Sequence, residues 1–288
     1  MNSRRKAYKA HFCEALYRNP IARFLYFPFL REPRDKTYIF VLGCYNSGTT
    51  LLNEILGHHP EISMLDTEGI YLTPELKEPE GFRWNRMYYN CFDQMCIGAE
   101  NAERVFNRVK KDWGFWHDKS KPYFIEKSVA NACWIEWLDK YFENSYFVWI
   151  VRNGYAVSEG IRRRTRGKVK QDLPNSQYPI EMCARQWVFT NNMIEEKLKP
   201  VKNKAFLKYE DLTADPEGEI RSLLRWLPIK EKGLHIIREF RFHGESSKIR
   251  DMSPESIGRL TPEEIRKINN VAAKDLEKFG YTVLRGEA

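Results

Sequence analysis

The chain has 288 residues, of which 42% are apolar, 30% charged and 14% aromatic, and its formal net charge is +8. That composition excludes a disordered, collagen-like or low-complexity chain, and a chain of this length buries roughly 75% of its unfolded surface without disulfides or metal. No run of about 18 apolar residues occurs, so no membrane-spanning helix is expected, and the surplus of Lys and Arg points to an anionic partner.

The start, Met1-Asn-Ser-Arg-Arg-Lys6, leads into no long apolar stretch with a small-residue cleavage site. A secretory signal is not expected, and the location is read as cytoplasmic. Residues 1–36 read as a basic N-terminal extension. Within it Ile21 to Leu30 is apolar but short, and Arg23 and Pro28 interrupt it. Two readings stand: an arm packed on the domain, or a peripheral membrane contact through residues 1–30. The six cysteines, at 13, 44, 91, 96, 133 and 183, are dispersed and read as thiols. Neither they nor His58, His59 and His117 have metal-ligand spacing, so no metal is expected.

Tyr38-Ile-Phe-Val-Leu42 is a continuous apolar run of strand length, as in a strand buried on both faces. A Gly-containing turn follows, then Thr50 to Leu56 with apolar residues at helical spacing, stopped by Gly57 and Pro60. Tyr123-Phe-Ile-Glu126 is a second strand and Tyr146 to Val151 a third, ending at Arg152-Asn-Gly154, with a helix from Tyr155. Ala205 to Tyr209 is a fourth strand. Helices are predicted over about 180–198, 216–227 and 262–278, the last with a Thr261–Glu264 capping box, Pro262 at its first position and Gly280 beyond its end. Strands alternating with helices predict an α/β fold: one domain over 37–288, with a central, mostly parallel sheet flanked by helices, in which the Gly43–Thr50 loop makes a P-loop-like nucleotide-binding core. In such sheets ligands sit beyond the carboxyl ends of the strands, where the loops 43–50 and 152–154 lie.

Gly43-Cys-Tyr-Asn-Ser-Gly-Thr-Thr50 follows a buried strand and opens a helix. The first N–H groups of a helix have no intrahelical partner, and the helix dipole favours an anion there. Gly48 removes a Cβ that would block close approach, and Ser47, Thr49 and Thr50 add hydroxyl donors. The spacing Gly43-x4-Gly48 matches a nucleoside-triphosphate loop, but Thr49 stands where that loop carries Lys. A cradle without the lysine suits a nucleotide carrying a single 5′-phosphate group.

With these residues in view the sequence resembles the sulfotransferases that use 3′-phosphoadenosine 5′-phosphosulfate. Four segments carry the likeness: Ser47-Gly-Thr-Thr-Leu-Leu52 with His59-Pro60 behind it; Phe124-Ile-Glu-Lys-Ser128; Ile150-Val-Arg-Asn-Gly154; and Lys208-Tyr-Glu-Asp-Leu212 followed by Asp215-Pro216. Their order and spacing match over roughly 40–285. Cytosolic members carry a catalytic His in a Lys-Thr-His stretch; here that stretch is Lys127-Ser128-Val129. The likeness is therefore to carboxylate-base branches, those acting on tyrosylproteins or carbohydrates, and to bacterial-type members.

The resemblance implies these roles. Glu68 is the base that takes the acceptor proton, with Asp66 the second choice; in a strand the two would face opposite sides. Lys127 stabilises the leaving phosphate oxygen. Asn46, Ser47, Gly48, Thr49 and Thr50 hold the 5′ end of the donor, Asn46 standing where the family usually has Lys or Arg. Arg152 binds the 3′-phosphate, a group that a guanidinium can hold bidentately. The family's Ser eight residues later is Gly160 here; Ser158 lies about 200° round the helix, whereas Arg163 and Arg164 share the face of Gly160, so Arg163 is a further donor ligand. Lys248 and Arg250 close over the nucleotide. The run Arg162 to Lys170 holds six basic residues in nine and reads either as a solvated helix end or as an anion-attracting rim. Residues 69–120, rich in aromatics, read as an acceptor-side insertion or as core.

The expected activity is metal-independent sulfuryl transfer from 3′-phosphoadenosine 5′-phosphosulfate to a hydroxyl, releasing 3′,5′-ADP, with a glycan, glycolipid or small alcohol favoured as acceptor. The alternative is a P-loop-type nucleotide or small-molecule kinase. A nucleic-acid partner is not expected, because no recognition motif accompanies the basic run.

Overall fold

The computed structural model describes residues 27–286 apart from 172, 174, 175, 232–238, 243 and 244, together with residues 19, 21 and 25; for 239–242 and 245–248 it describes the backbone. The arm 1–30 and the side chain of Lys248 thus lie largely outside the described residues. What is described of the arm ends in the turn Phe27–Phe29, with the cations of Arg108 and Lys111 over the Phe27 ring.

Five strands form one parallel sheet: β1 (Thr37–Leu42), β2 (Ile62–Met64), β3 (Tyr123–Glu126), β4 (Ser145–Val151) and β5 (Lys204–Lys208), in spatial order β2-β3-β1-β4-β5. The four predicted strands are all present. β2 is the addition, three residues long and on the edge, too short for a periodicity to declare it.

Alternate side chains divide the sheet into two cores. Ile39, Val41, Ile125, Val148 and Ile150 face α1 (Thr49–Gly57), α6 (Tyr209–Ala214) and α7 (Pro216–Trp226). Tyr38, Phe40, Leu42, Phe124, Phe147, Trp149 and Val151 face a larger layer built from α2 (Ala99–Trp116), α3 (Ile135–Tyr141), α4 (Gly154–Thr165), α5 (Ile180–Leu198), α8 (Ser253–Ile257) and α9 (Pro262–Lys278). Burial on both faces is why the central strands carry continuous apolar runs. The capping box on α9 is formed as read, and Gly280 takes the left-handed conformation beyond it, at φ 73°.

The aromatic stretch 69–120 contains α2, whose Ala102, Val105, Phe106, Val109 and Trp113 are buried. Tyr88 and Trp113 are core residues, whereas Tyr71, Phe82, Trp84, Phe92 and Trp116 are partly buried against it. Most of these rings therefore do packing work. A two-stranded antiparallel hairpin, β6 (Glu239–Phe242) and β7 (Glu245–Lys248), precedes α8.

Candidate functional site

The site lies at the carboxyl ends of β3, β1 and β4, three neighbours in the sheet. Phe40 is in register with Glu126, and Leu42 with Trp149, so Lys127, the loop 43–48 and Arg152 emerge side by side.

The loop after β1 turns into α1 through two left-handed residues, Asn46 at φ 62° and Gly48 at φ 92°. At Gly48 a Cβ would lie 2.5 Å from the Tyr209 ring. Only glycine meets both demands. The turn opens α1 (Thr49–Gly57), and the first N–H groups of a helix, lacking intrahelical partners, suit an anion.

Arg152 is buried and tied to this loop. Its Nη1 donates to the Asn46 carbonyl at 3.0 Å and its Nε to Ser253 Oγ at 3.0 Å, while its guanidinium stacks 4.3 Å from the Tyr209 ring centroid. Ser253 in turn donates to Glu210 Oε1, which also accepts from Asn153 N; Tyr281 donates to Glu210 Oε2. Glu210 thus joins the end of β4, α6, α8 and the C-terminal segment behind Arg152.

Three donors here are buried without a hydrogen-bond partner among the described residues: Asn46 Nδ2, Ser47 Oγ and Arg152 Nη2. An unmet buried donor costs about 1–3 kcal/mol, so three within one loop and its neighbour fit a bound anion. Gly160 on α4 belongs to the same corner: a Cβ there would lie 3.2 Å from Asn46 Cβ and Cγ. The Asn46 amide occupies the space beside the bare Gly160, answering what stands near the position of the family's Ser. Ser158 faces away, bonded to the Gly154 carbonyl.

Two of the other expected cations, Arg163 and Arg250, are engaged elsewhere. Arg163 pairs with Glu159 on its own helix at 3.2 Å, and Arg250 with Glu255 at 3.2 Å. Arg164 lies near Arg86 and Arg163; burial, then those like charges, depress its pKa. The cation of Arg86 sits 5.6 Å from the ring of Tyr45, within the loop itself.

Glu68 and Lys127 form a close ion pair, Lys127 nearly buried and Glu68 29% exposed. They reside on a loop and at a strand end: Glu68 follows β2 and Lys127 follows β3 directly. Asp66 is exposed on the same loop. Its neighbour Glu68, not Asp66, is brought to Lys127. His59 is held by backbone groups, its ring bonded to the Lys230 carbonyl at 2.9 Å and the Glu61 N–H at 3.2 Å.

Four groups around the site carried no role in the sequence reading: Glu126, Ser128, Tyr209 and Glu210. All lie inside the segments that carried the resemblance, and Glu126 had a further signal, a carboxylate closing an apolar buried strand.

A model of the sulfotransferase family matches residues 38–232. Protein-tyrosine sulfotransferase A of Caenorhabditis elegans is 23% identical over 245 residues, 82% of this chain and 60% of that protein. The chain therefore spans about three fifths of that curated relative. Among solved structures, sulfotransferase STF9 from Mycobacterium avium is similar at TM-score 0.59 and 14% identity, over 98% of this chain and 86% of that one. The sulfotransferase domain of the Synechococcus PCC 7002 olefin synthase is similar at TM-score 0.54 and 19% identity, over 88% and 99%. At these identities the structures establish a shared fold.

Proposed function

The chain belongs to the sulfotransferase family, and on that premise we propose that it transfers a sulfuryl group from 3′-phosphoadenosine 5′-phosphosulfate to an acceptor hydroxyl, with Glu68 as base. The observation that carries the reading is the line of Glu68–Lys127, the phosphate loop and Arg152 along three adjacent strand ends. Sulfuryl transfer asks a protein to align two oxygens and to hold negative charge as it spreads, much as phosphoryl transfer does.

When bound, the donor supplies the sulfuryl group and departs as 3′,5′-ADP. The α1 N-terminus with Asn46, Ser47, Gly48, Thr49 and Thr50 holds its 5′ end. Arg152 offers Nη2 to the 3′-phosphate without breaking a bond it already makes. Arg163 and Arg250 reach the donor only by first leaving Glu159 and Glu255. An ammonium has three N–H donors; with one on Glu68, Lys127 keeps two for the departing phosphate oxygen. Glu68, partly exposed, faces the acceptor side and takes the hydroxyl proton. The proposed transfer calls on no metal. The tyrosine-sulfating relatives favour a hydroxyl on a protein tyrosine as one acceptor class, beside glycan, glycolipid and small alcohol.

Thermal shift tests the donor class. We expect adenosine 3′,5′-bisphosphate to stabilise the chain selectively over ATP with magnesium and over an oligonucleotide. Selective stabilisation by ATP with magnesium would favour the kinase reading instead.

A further inference from the structure

One buried carboxylate beside the site has no part in the chemistry above. Glu126 closes β3 and is 2% exposed. Its Oε1 accepts from Gly69 N at 2.7 Å and from Ser128 Oγ at 2.6 Å. Its Oε2 accepts from Asn131 Nδ2. Ser128 Oγ in turn accepts from Ile70 N at 3.0 Å. The two backbone N–H groups directly after Glu68 are thus both anchored in one buried cluster.

The same peptide is held from its other side. Trp113 Nε1 donates to the Gly69 carbonyl at 2.8 Å. A Cβ on Gly69 would meet the Trp113 ring at 2.7 Å and Glu126 Oε1 at 2.8 Å, so the backbone passes between them with no room for a side chain. Glu126 adjoins Lys127 in sequence, and Gly69 adjoins Glu68. The cluster therefore clamps both ends of the Glu68–Lys127 pair.

We infer that Glu126 is a positioning residue, which fixes the backbone of residues 68–70 and through it sets the Glu68 carboxylate against Lys127. The inference rests on the reading of Glu68 as base. Burial, together with the nearby Glu68 charge, raises the Glu126 pKa, and the bonds from Ser128, Gly69 and Asn131 oppose this. What the backbone needs from residue 126 is an acceptor oxygen. A glutamine carbonyl supplies one. Its amide can face Asn131, whose Oδ1 has no partner among the described residues and can turn to receive it.

The test compares Glu126→Gln, Glu126→Ala, Ser128→Ala and Glu68→Gln. Readouts are hydrogen exchange at the Gly69 and Ile70 amides, calorimetric affinity for adenosine 3′,5′-bisphosphate, and turnover of labelled donor with and without acceptor. Loss of a bond to a charged acceptor predicts that Glu126→Ala speeds Gly69 exchange and lowers turnover, each by about tenfold or more, with nucleotide affinity kept within about threefold. Glu126→Gln should retain turnover within about threefold, because its oxygen makes the same bonds. Ser128→Ala should release Ile70 and cost less turnover, and it carries the test if Glu126→Ala does not fold. Equal loss of turnover in the Gln and Ala variants would overturn the inference, since the carboxylate would then act chemically. So would unchanged Gly69 exchange in Glu126→Ala, or unchanged Ile70 exchange in Ser128→Ala. The two readings separate on Glu68→Gln: if it keeps turnover while Glu126→Ala still releases Gly69, the base assignment has failed and the clamp stands.

Discussion

Replacing Arg152 with alanine asks whether this buried guanidinium reads the 3′-phosphate or only shapes the loop. Arg152 makes two structural bonds, to the Asn46 carbonyl and to Ser253, and rests on Tyr209. Those contacts support the loop, so their loss weakens every nucleotide that uses it. Nη2 has no protein partner among the described residues, and a bond from it to a phosphate would be charge-assisted. Such a bond contributes about 1.5–3 kcal/mol, or roughly ten- to a hundred-and-fifty-fold in affinity. The quantity that isolates it is a ratio: the preference for adenosine 3′,5′-bisphosphate over adenosine 5′-monophosphate. Calorimetry of both nucleotides on the native chain and on Arg152→Ala, with melting temperature as a folding control, yields that ratio. The preference should collapse by the factor above. If both affinities fall equally and the preference survives, Arg152 does not contact the 3′-phosphate, and the Nη2 argument is wrong.

Three further outcomes follow from the same geometry. Gly160→Ser should push the Asn46 side chain out of its corner, lowering bisphosphate affinity about tenfold, while in an Asn46→Ala background the same change should cost little; additive losses would mean the two residues do not share the site. Lys127→Ala should lower kcat by about a hundredfold or more with bisphosphate affinity retained, read by single-turnover transfer and calorimetry; a loss confined to affinity would remove its role at the leaving oxygen. His117 is buried, stacked on Phe124 at 4.2 Å, and its pKa is pushed down to about 3 by burial from an ordinary 6.5. The unfolded chain therefore binds this proton and the folded one does not, so its contribution is complete above pH 6.5 and is lost as pH falls toward 3. Unfolding stability should drop by up to about 1.4 kcal/mol per pH unit just below 6.5, and His117→Phe should flatten that limb; a variant with the native slope would show that His117 is not the titrating group.

How much of this was legible from residues alone differs between parts of the molecule. Tyr38–Leu42 and Tyr146–Val151 declared themselves because both of their faces are buried, which leaves an unbroken apolar run. α9 was legible at both ends because its cap residues satisfy local backbone groups and need no tertiary context. β2 was not, because a three-residue edge strand is made by its neighbour β3 and not by its own pattern. α2 carries a readable helical spacing at 102, 105, 106, 109 and 113, and of the two readings of the aromatics in 69–120, packing accounts for Tyr88 and Trp113.

At the site, the loop and Arg152 were legible because their positions follow from strand ends. That Glu68 sits against Lys127 was not legible from spacing. The N–H groups of the two residues after it are held by Glu126 and Ser128, contacts made across 57 and 58 residues of chain. The tie between Asn46 and Gly160 was equally out of reach, since it needs α4 laid against the loop after β1.

The measurement closest to the central claim is transfer of label from sulfur-labelled 3′-phosphoadenosine 5′-phosphosulfate. The acceptor panel holds a tyrosine peptide, a glycoside, a glycolipid and a simple alcohol, with and without EDTA, and product mass is the readout. One acceptor should gain a sulfuryl group on a hydroxyl, at a rate the chelator leaves unchanged and that Glu68→Gln lowers by about a hundredfold or more while bisphosphate binding persists. Label that reaches no acceptor, while phosphate moves from labelled ATP with magnesium to the same panel, would contradict the claim.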